Sequence, residues 1–539
     1  MKNLNSFGFA VVMLLCVSFL LSCNDDSSSG SNDTRSIDGS GNNLQNPLMG
    51  ATFTQLVRYV FSDYEDGVSE IPEAGSPSAR VVSNIVNSQD ALIPNPLNAS
   101  DYIWQWGQFL DHDLDFTNGA NPAEAADIAV PAGDPFFDPF DTGTAVITFD
   151  RSVFDTSTGT GIGNPRQQIN TITTWIDGSN VYGSDVERAE ALRVNDGTGR
   201  LNTSAGNLLP FNTTGLPNDG GDDDPFLFLA GDFRANEQVG LTAMHTLFMR
   251  EHNRYVIELA SQNPGLSGDE LYERGRQFVG ALMQAITYNE FLPTLMGQGA
   301  LSPYSGYYPS VDASIGNIFS TAAYRFGHSM LSPQILRLDQ NLDVIPEGNL
   351  PLLEAFFSPE LITDEGGIDP MLRGLAKQVA QRLDPFVVGD VRNFLFGPPG
   401  AGGFDLAALN IQRGRDHGLP KYNDVREEMG LSRVESFQDI SSDLDIQMRL
   451  LDAYGNVDSI DLWPGGLAED PISGSHLGEL FQLILKVQFE ALRDGDRFWY
   501  ERKLNNSELA EVQATSLSDV IRRNTGIGSE LQDDVFNVQ

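Results

Sequence analysis

Apolar residues recur at near-helical spacing in several long stretches of the chain. Within 241–260 they are Met244, Leu247, Phe248, Tyr255 and Leu259, and within 477–492 they are Leu480, Leu483, Ile484, Val487 and Leu492. Segments 272–291 and 371–383 carry the same period, which predicts helices there. Alternation of apolar and polar residues is sparse, with 145–149 the best short strand. Segments 131–145 and 217–225 concentrate Pro, Gly and Asp and break any periodic element. There is no internal repeat. The pattern predicts one large, mainly α domain over 35–539, with long irregular loops and few short strands.

The beginning of the chain follows another rule. Lys2 precedes an apolar run from Phe7 to Leu21, shorter than the ~20 residues a spanning helix needs and typical of a signal-peptide core. Leu20-Leu21-Ser22-Cys23 resembles a bacterial lipobox, in which cleavage falls before the cysteine and the cysteine carries lipid. Residues 1–22 therefore read as a lipoprotein signal peptide, and 23–34 as a flexible polar tether from lipidated Cys23. The expected location is outside the cytoplasm, held to the bacterial cell envelope (outer membrane or surface) or released from it. Membrane contact would run through the lipid anchor only.

Charge and composition narrow the partners. Lys and Arg number 33 against 74 Asp and Glu, a net charge of −41. Such a surface repels nucleic acid and anionic lipid, so neither is expected as a partner. It reads as a solubilising surface, with hard cations such as Ca²⁺ the other reading. With 40% hydrophobic and 20% charged residues the chain is neither a polytopic membrane protein nor mostly disordered. The two cysteines, Cys16 and Cys23, both lie before the folded part, which excludes zinc fingers, Fe–S clusters and disulfide frameworks there. Any histidine chemistry must choose among His112, His245, His252, His328, His417 and His476.

Four segments carry candidate chemistry. In Trp106-Gly107-Gln108-Phe109-Leu110-Asp111-His112-Asp113-Leu114-Asp115-Phe116, a histidine sits between carboxylates, either as an acid–base group or as part of a polar helix end facing water. Gly231-Asp232-Phe233-Arg234-Ala235-Asn236-Glu237-Gln238 precedes His245 and His252, which are seven apart and lack an HExxH pattern; they read as structural histidines of a packed helix. In Tyr324-Arg325-Phe326-Gly327-His328 a glycine beside a histidine suits either a turn or the close approach of a flat cofactor. Leu409-Asn410-Ile411-Gln412-Arg413-Gly414-Arg415-Asp416-His417-Gly418 reads by itself as a charge-paired loop.

Taken together, WGQFLDHDLDF, AGDFRANE, TAMHTLFMREHNR, YRFGHS, LNIQRGRDHGLP and LRDGDRFWYE resemble, in order, the signatures of the animal-type haem peroxidases, the superfamily of myeloperoxidase, lactoperoxidase and peroxidasin. The similarity runs from about Arg35 to about Thr525. The resemblance implies a haem-dependent peroxidase that reduces H₂O₂ to water and oxidises a small anionic donor, halide or thiocyanate, or a phenol. It implies His112 as distal histidine, Arg234 as distal arginine and Gln108 as the glutamine that bonds water or halide. His328 matches the proximal iron ligand, Asn410 its hydrogen-bond partner and Arg325 the arginine at a haem propionate. Asp111 and Glu237 match the two carboxylates that become ester-linked to haem b. Asp113 with Thr173, Trp175 (through its carbonyl), Asp177 and Ser179 matches a Ca²⁺ site, one residue from His112.

Two departures matter. The domain has no cysteine for the disulfides of vertebrate members, so its stability must come from packing and calcium. Position 238 is Gln where myeloperoxidase has the methionine of a third haem link, which argues against efficient chloride oxidation. Two other functions share parts of this pattern. A fatty-acid dioxygenase on the same fold needs a tyrosine three residues before the proximal histidine, where this chain has Arg325, with Tyr324 four before. A non-catalytic, calcium-stabilised adhesion module would not need the catalytic positions, which are all present.

Overall fold

The long helices begin where the sequence supplies a cap. Ser267 and Glu270 form a capping box ahead of helix Gly268–Ile286. The Gln238 side chain accepts from the Gly240 N–H at the start of helix Val239–Gln262, and Asp405 accepts from Ala408 N–H ahead of helix Leu406–Asp416. The computed structural model describes residues 33–72, 75–221 and 224–539. The signal segment, Cys23 and the tether up to residue 32 lie outside the described residues.

Residues Arg35–Gln539 form one unit that is mainly helical, with short paired strands. The periodic segments fold as predicted, with boundaries set by tertiary contacts. The 477–492 pattern becomes helix Glu479–Asp494. The 272–291 pattern ends as α-helix at Ile286 and continues through a wide π turn, Thr287–Phe291, into Leu292–Met296. The 371–383 pattern gives only Asp369–Lys377. It stops early because the next residues pair laterally: Ala380 N–H donates to Ala99 O, and Val379 and Gln381 bridge to Ser100 and Pro94. The 145–149 strand shortens to Val146–Ile147, paired antiparallel with Ile128–Ala129. Loop 131–145 is shaped by Asp134 and Asp138, whose carboxylates accept backbone N–H groups of the following turn.

Helix Tyr102–Leu114 runs through the core. All its residues are buried except Gln108 and Asp111, so it has no solvent face. Phe109 stacks on Phe248 of Val239–Gln262 with centroids 5.1 Å apart, and Trp106 meets the same ring at 5.7 Å. Such aromatic pairs add about 0.5–1.5 kcal/mol each beyond area burial. The helix ends where Asp115 turns extended, at φ −150° and ψ 149°. Tight turns over Ala323–Ser329 pack near it, and a Cβ on Gly327 would meet the Trp104 side chain at 3.5 Å. The neighbour that comes close to Gly327 is thus this helix.

The far side of the domain is pinned by Arg80, on helix Ala79–Ile85. Its side chain is fully buried and bonds Asp134 through Nε (2.8 Å) and Nη2 (3.1 Å), and Asp405 through Nη1 (2.6 Å). One guanidinium therefore ties loop 131–145 to the start of the helix that carries Asn410. Burial pushes the Asp134 carboxyl up, but its bonds from Arg80, Phe137 N–H and Asn84 outweigh this and hold it well below its ordinary 3.8. A carboxyl depressed on folding stabilises above its unfolded value and loses that contribution as pH falls below it. Arg80→Met should strand two buried carboxylates and cost about 3–5 kcal/mol. Urea unfolding at pH 7 measures this, and an unchanged midpoint would count against it. Between pH 5 and 3 (roughly the window around an unfolded Asp) the wild type should lose more stability than the variant.

Candidate active site

Helix Tyr102–Leu114 turns its two half-buried residues, Gln108 and Asp111, into a cavity of about 360 Å³. His112 lines it as well, followed by Asp115 and Phe116 past the helix end. The segment before helix Val239–Gln262 brings Arg234, Glu237 and Gln238 to the same space. Turns Ala323–Ser329 supply Tyr324, Arg325 and His328, and helix Leu406–Asp416 supplies Asn410. Eight residues expected at the haem, from four distant segments, are thus brought together: His112, Arg234, Gln108, His328, Asp111, Glu237, Arg325 and Asn410.

The Arg234 guanidinium is fixed before anything binds. It donates to Asp232 through Nε and Nη2, both at 2.9 Å, and to Asp115 O at 3.2 Å. Its Nη1 lies 3.7 Å from Asp111 Oδ2, and its plane sits 4.7 Å from the Phe116 ring centre. Burial pushes the Asp232 carboxyl up, but Arg234 holds it down at about 2. Asp232 was not singled out from sequence, although it stands two residues before Arg234, where its carboxylate also accepts the Arg234 N–H at 2.8 Å.

The imidazoles are held neutral. Burial, then the Arg234 charge, pushes His112 well below its ordinary 6.5, with Asp232 opposing. His112 Nδ1 lies 3.5 Å from Asp232 Oδ1 and Nε2 lies 4.0 Å from Glu237 Oε2. Burial, then Arg325, pushes His328 down to about 3. Asn410 Nδ2 lies 2.7 Å from His328 Nδ1, and Arg325 Nη1 donates to Asn410 Oδ1 at 3.0 Å. With Nδ1 engaged, Nε2 is the ring nitrogen left for a metal.

Burial has the opposite effect on the acids. Burial and the neighbouring Asp115 raise Asp111 well above an ordinary carboxyl, against the pull of Arg234 and Arg325. Glu237 is pushed up to about 7 by burial, opposed by Arg234. Gln108 Nε2 donates to Glu237 Oε2 at 2.8 Å, while Gln238 Nε2 donates to Gln108 Oε1 at 3.1 Å and to Gln105 Oε1 at 2.6 Å. Gln238 is therefore a helix cap and a link in a glutamine chain, a role the sequence did not signal.

On the other side of the helix, Asp113 is fully buried. It accepts from Ser179 Oγ (2.7 Å), Asp177 N (3.0 Å), Gly178 N (3.1 Å) and Asn180 N (3.3 Å). Thr173 Oγ1 donates to Asp177 Oδ1 at 3.4 Å, and the Trp175 indole donates to Gly39 O at 3.1 Å. Burial and the nearby Asp177 push the Asp113 carboxyl up. Two buried carboxylates with two hydroxyls form a hard-oxygen set suited to Ca²⁺. The remaining histidines of Val239–Gln262 are packed as expected. His252 bonds Tyr182 Oη and Gly199 O, both at 2.9 Å, and His245 meets Phe109 edge-on at 5.0 Å.

Residues 34–536 match the animal haem peroxidase family. A peroxidasin homolog of Mus musculus is 39% identical, over 94% of this chain and 37% of that protein, so the chain spans little more than a third of that relative. The solved structure of peroxidase A from Dictyostelium discoideum superposes with a TM-score of 0.87 at 35% identity, over 94% of this chain and all of that one. A fatty acid alpha-dioxygenase of Arabidopsis thaliana superposes at 0.79 with 21% identity, over 94% and 83% of the two chains, which is a likeness of fold.

Asp113→Ala should leave three backbone N–H groups without their acceptor, and Ser179 Oγ with only the residue-113 carbonyl. Hydrogen bonds to a charged group are worth about 1.5–3 kcal/mol each in net terms, so a loss on the order of 3 kcal/mol or more is expected. Thermal unfolding of the purified domain reads it; an unshifted transition would mean that the 173–180 loop is docked by other contacts.

Proposed function

The chain belongs to the animal haem peroxidase family, and on that premise we propose that it uses haem b to reduce H₂O₂ to water and to oxidise a small anionic or phenolic donor. The observation that carries this reading is a pair of differently equipped neutral imidazoles on one cavity: His328, tied to Asn410, and His112, beside the fixed Arg234; the third histidine of the lining, His417, has both ring nitrogens engaged by Asn317, Thr321 and Ser152. The donor set fits the group. A buried neutral imidazole held by its Nδ1 is the usual proximal ligand of haem iron, and Arg325 on the cavity wall suits a propionate. With Nε2 given to iron the ring proton would sit on Nδ1, and Asn410 would accept it through its amide oxygen once the amide turns over from the orientation in which Nδ2 faces His328 and Arg325 Nη1 donates to Oδ1.

Haem bound there would supply the iron at which the peroxide O–O bond is cleaved and its two oxidising equivalents are retained. The protein supplies the proton traffic. His112, kept neutral by burial and Arg234, takes a proton from one peroxide oxygen and delivers it to the other, so that water leaves. Arg234, its orientation fixed by Asp232, opposes the negative charge that develops as that bond breaks. Gln108 points its amide along the cavity wall, held by Glu237 and Gln238, where it can position water or a halide.

Asp111 and Glu237 are the carboxyls for the two ester links. Both line the cavity, and burial raises both above an ordinary carboxyl. Ca²⁺ is the cation for Asp113, Asp177, Thr173, Ser179 and the Trp175 carbonyl, and its loss would act on His112 through the adjoining residue. At the beginning of the chain, the lipobox-like Leu20–Cys23 supports export and lipid anchoring at the cell envelope. Among the described residues no helix is long and apolar enough to cross a membrane.

The haem-reconstituted chain should oxidise iodide and thiocyanate with H₂O₂. His328→Ala should lose the haem absorption spectrum, and a wild-type spectrum in that variant would show that another group holds iron. His112→Ala and Arg234→Ala should keep haem but react with peroxide roughly 10²–10⁴ times more slowly in stopped flow, the usual loss of a positioned acid–base group. Unchanged rates in both would remove the distal assignment.

Donor range is the second expectation. Two ester links without a sulfonium link should give a potential sufficient for iodide, thiocyanate and bromide, with chloride poorly oxidised at neutral pH. Gln238→Met should shift the Soret band to the red and improve chloride turnover. Because Gln238 caps helix Val239–Gln262, the same change should cost about 0.5–2 kcal/mol of stability. Efficient chloride oxidation by the wild type would overturn this account of the haem potential.

A further inference from the structure

A line of aromatic rings leads from the cavity to a separate groove. Tyr324 lines the cavity, and its ring centre is 5.6 Å from that of Phe489. Phe489 is 6.1 Å from Tyr288, and Tyr288 is 4.8 Å from Trp499. Trp499 in turn lies 5.7 Å from Tyr304 and 4.8 Å from Tyr500. Tyr288, Tyr304, Trp499 and Tyr500 line a groove of about 280 Å³ together with Arg493 and Glu501. The rings come from separate segments: the turns before His328, helix Glu479–Asp494, the wide turn Thr287–Phe291, a loop at 304 and the LRDGDRFWYE motif.

Three features go beyond packing. The phenol oxygens of Tyr324 and Tyr304, at the two ends of the line, are buried with no hydrogen-bond partner among the described residues. A buried hydroxyl without a partner costs free energy that phenylalanine would avoid, so its presence calls for a role. Next, Trp499 Nε1 donates to Glu501 Oε1 at 3.2 Å, and Glu501 is exposed. An indole that loses an electron becomes strongly acidic, and this carboxylate is placed to take its proton. Finally, Tyr288 sits in a π turn, a local widening frequent at functional sites. Neither the peroxide site nor the Asp113 loop uses Tyr288, Tyr304, Trp499 or Glu501.

We propose that the groove is a second donor site, at which phenols carried on molecules too large for the cavity are oxidised through a Trp499–Tyr288–Phe489–Tyr324 relay. The proposal rests on the peroxidase reading above, since H₂O₂ is the oxidant. For each oxidising equivalent retained at the His328 site, one electron passes inward from Trp499 along the rings, and the Trp499 N–H proton goes to Glu501. A phenol in the groove returns one electron to Trp499. Glu501 returns the indole proton, and the phenol releases its hydroxyl proton and leaves as a neutral phenoxyl radical. Two phenols thus provide the two electrons and two protons that turn one H₂O₂ into two waters.

The test uses the haem-loaded full chain with two donors: iodide, and tyramine coupled to a large dextran. Trp499→Phe should keep wild-type iodide turnover and lose dextran–tyramine oxidation to the level of the no-protein control. Glu501→Gln, at an exposed position, should slow dextran–tyramine oxidation with iodide turnover unchanged, and it carries the test if Trp499→Phe does not fold. After rapid mixing with peroxide and freezing, electron paramagnetic resonance should show a radical whose line narrows when tryptophan is ring-deuterated, and Trp499→Phe should lack it. Dextran–tyramine oxidation at the wild-type rate in both variants, or the same tryptophan signal in Trp499→Phe, would overturn the relay. A wild type that oxidises neither iodide nor free tyramine would instead overturn the peroxidase reading, and the relay with it.

Discussion

The Arg234–Asp232 pair is the interaction on which the site depends. A buried guanidinium is tolerated only if it is paired and its donors are satisfied, and Asp232 supplies two of those bonds while Asp115 O supplies a third. The pair fixes the cation beside His112, and the same cation helps keep that imidazole neutral. It also joins the segment before helix Val239–Gln262 to the end of helix Tyr102–Leu114. Positioning, charge and protonation state therefore have one structural cause.

Helix Tyr102–Leu114 carries this order to both of its sides. Gln108 and Asp111 face the cavity, whereas Asp113 is clasped by the 177–180 backbone and Ser179. A helix buried on all sides has little freedom to rotate, so His112 inherits its direction from contacts at Asp113 and from the Phe109–Phe248 stack. On the proximal wall a chain of Arg325, Asn410 and His328 does the corresponding task, and Arg80 anchors the start of the helix that bears Asn410. The His328 ring and the Arg234 guanidinium are thus held in place before a ligand enters, a form of preorganisation.

The same fold serves fatty-acid dioxygenation in a structural neighbour with 21% identity, so the fold does not determine the reaction. The equipment of this chain's site is local. Arg325 occupies the position three residues before His328, and Tyr324 occupies the one before it, with its ring stacked on Phe319 at 4.6 Å. Asp111 and Glu237 stand as raised carboxyls around the cavity.

By itself the sequence determined the mainly helical class, through apolar spacing, and the helix starts, through caps such as Ser267–Glu270 and Asp405, because both signals act within one or two turns. It also determined which residue types were available, since six short motifs in order carried the family resemblance. The tertiary structure alone decided where the 371–383 helix stops, because residues 379–381 found lateral partners some 280 positions earlier in the chain. It decided that Gln238 is a cap and that Asp232 holds Arg234. It also set the protonation states: His112 stands between carboxylates in the sequence, a pattern that argues for a raised value, yet burial and Arg234 push it down. Burial, dielectric and long-range neighbours have no local signature, and those are the quantities that turn a set of side chains into a site.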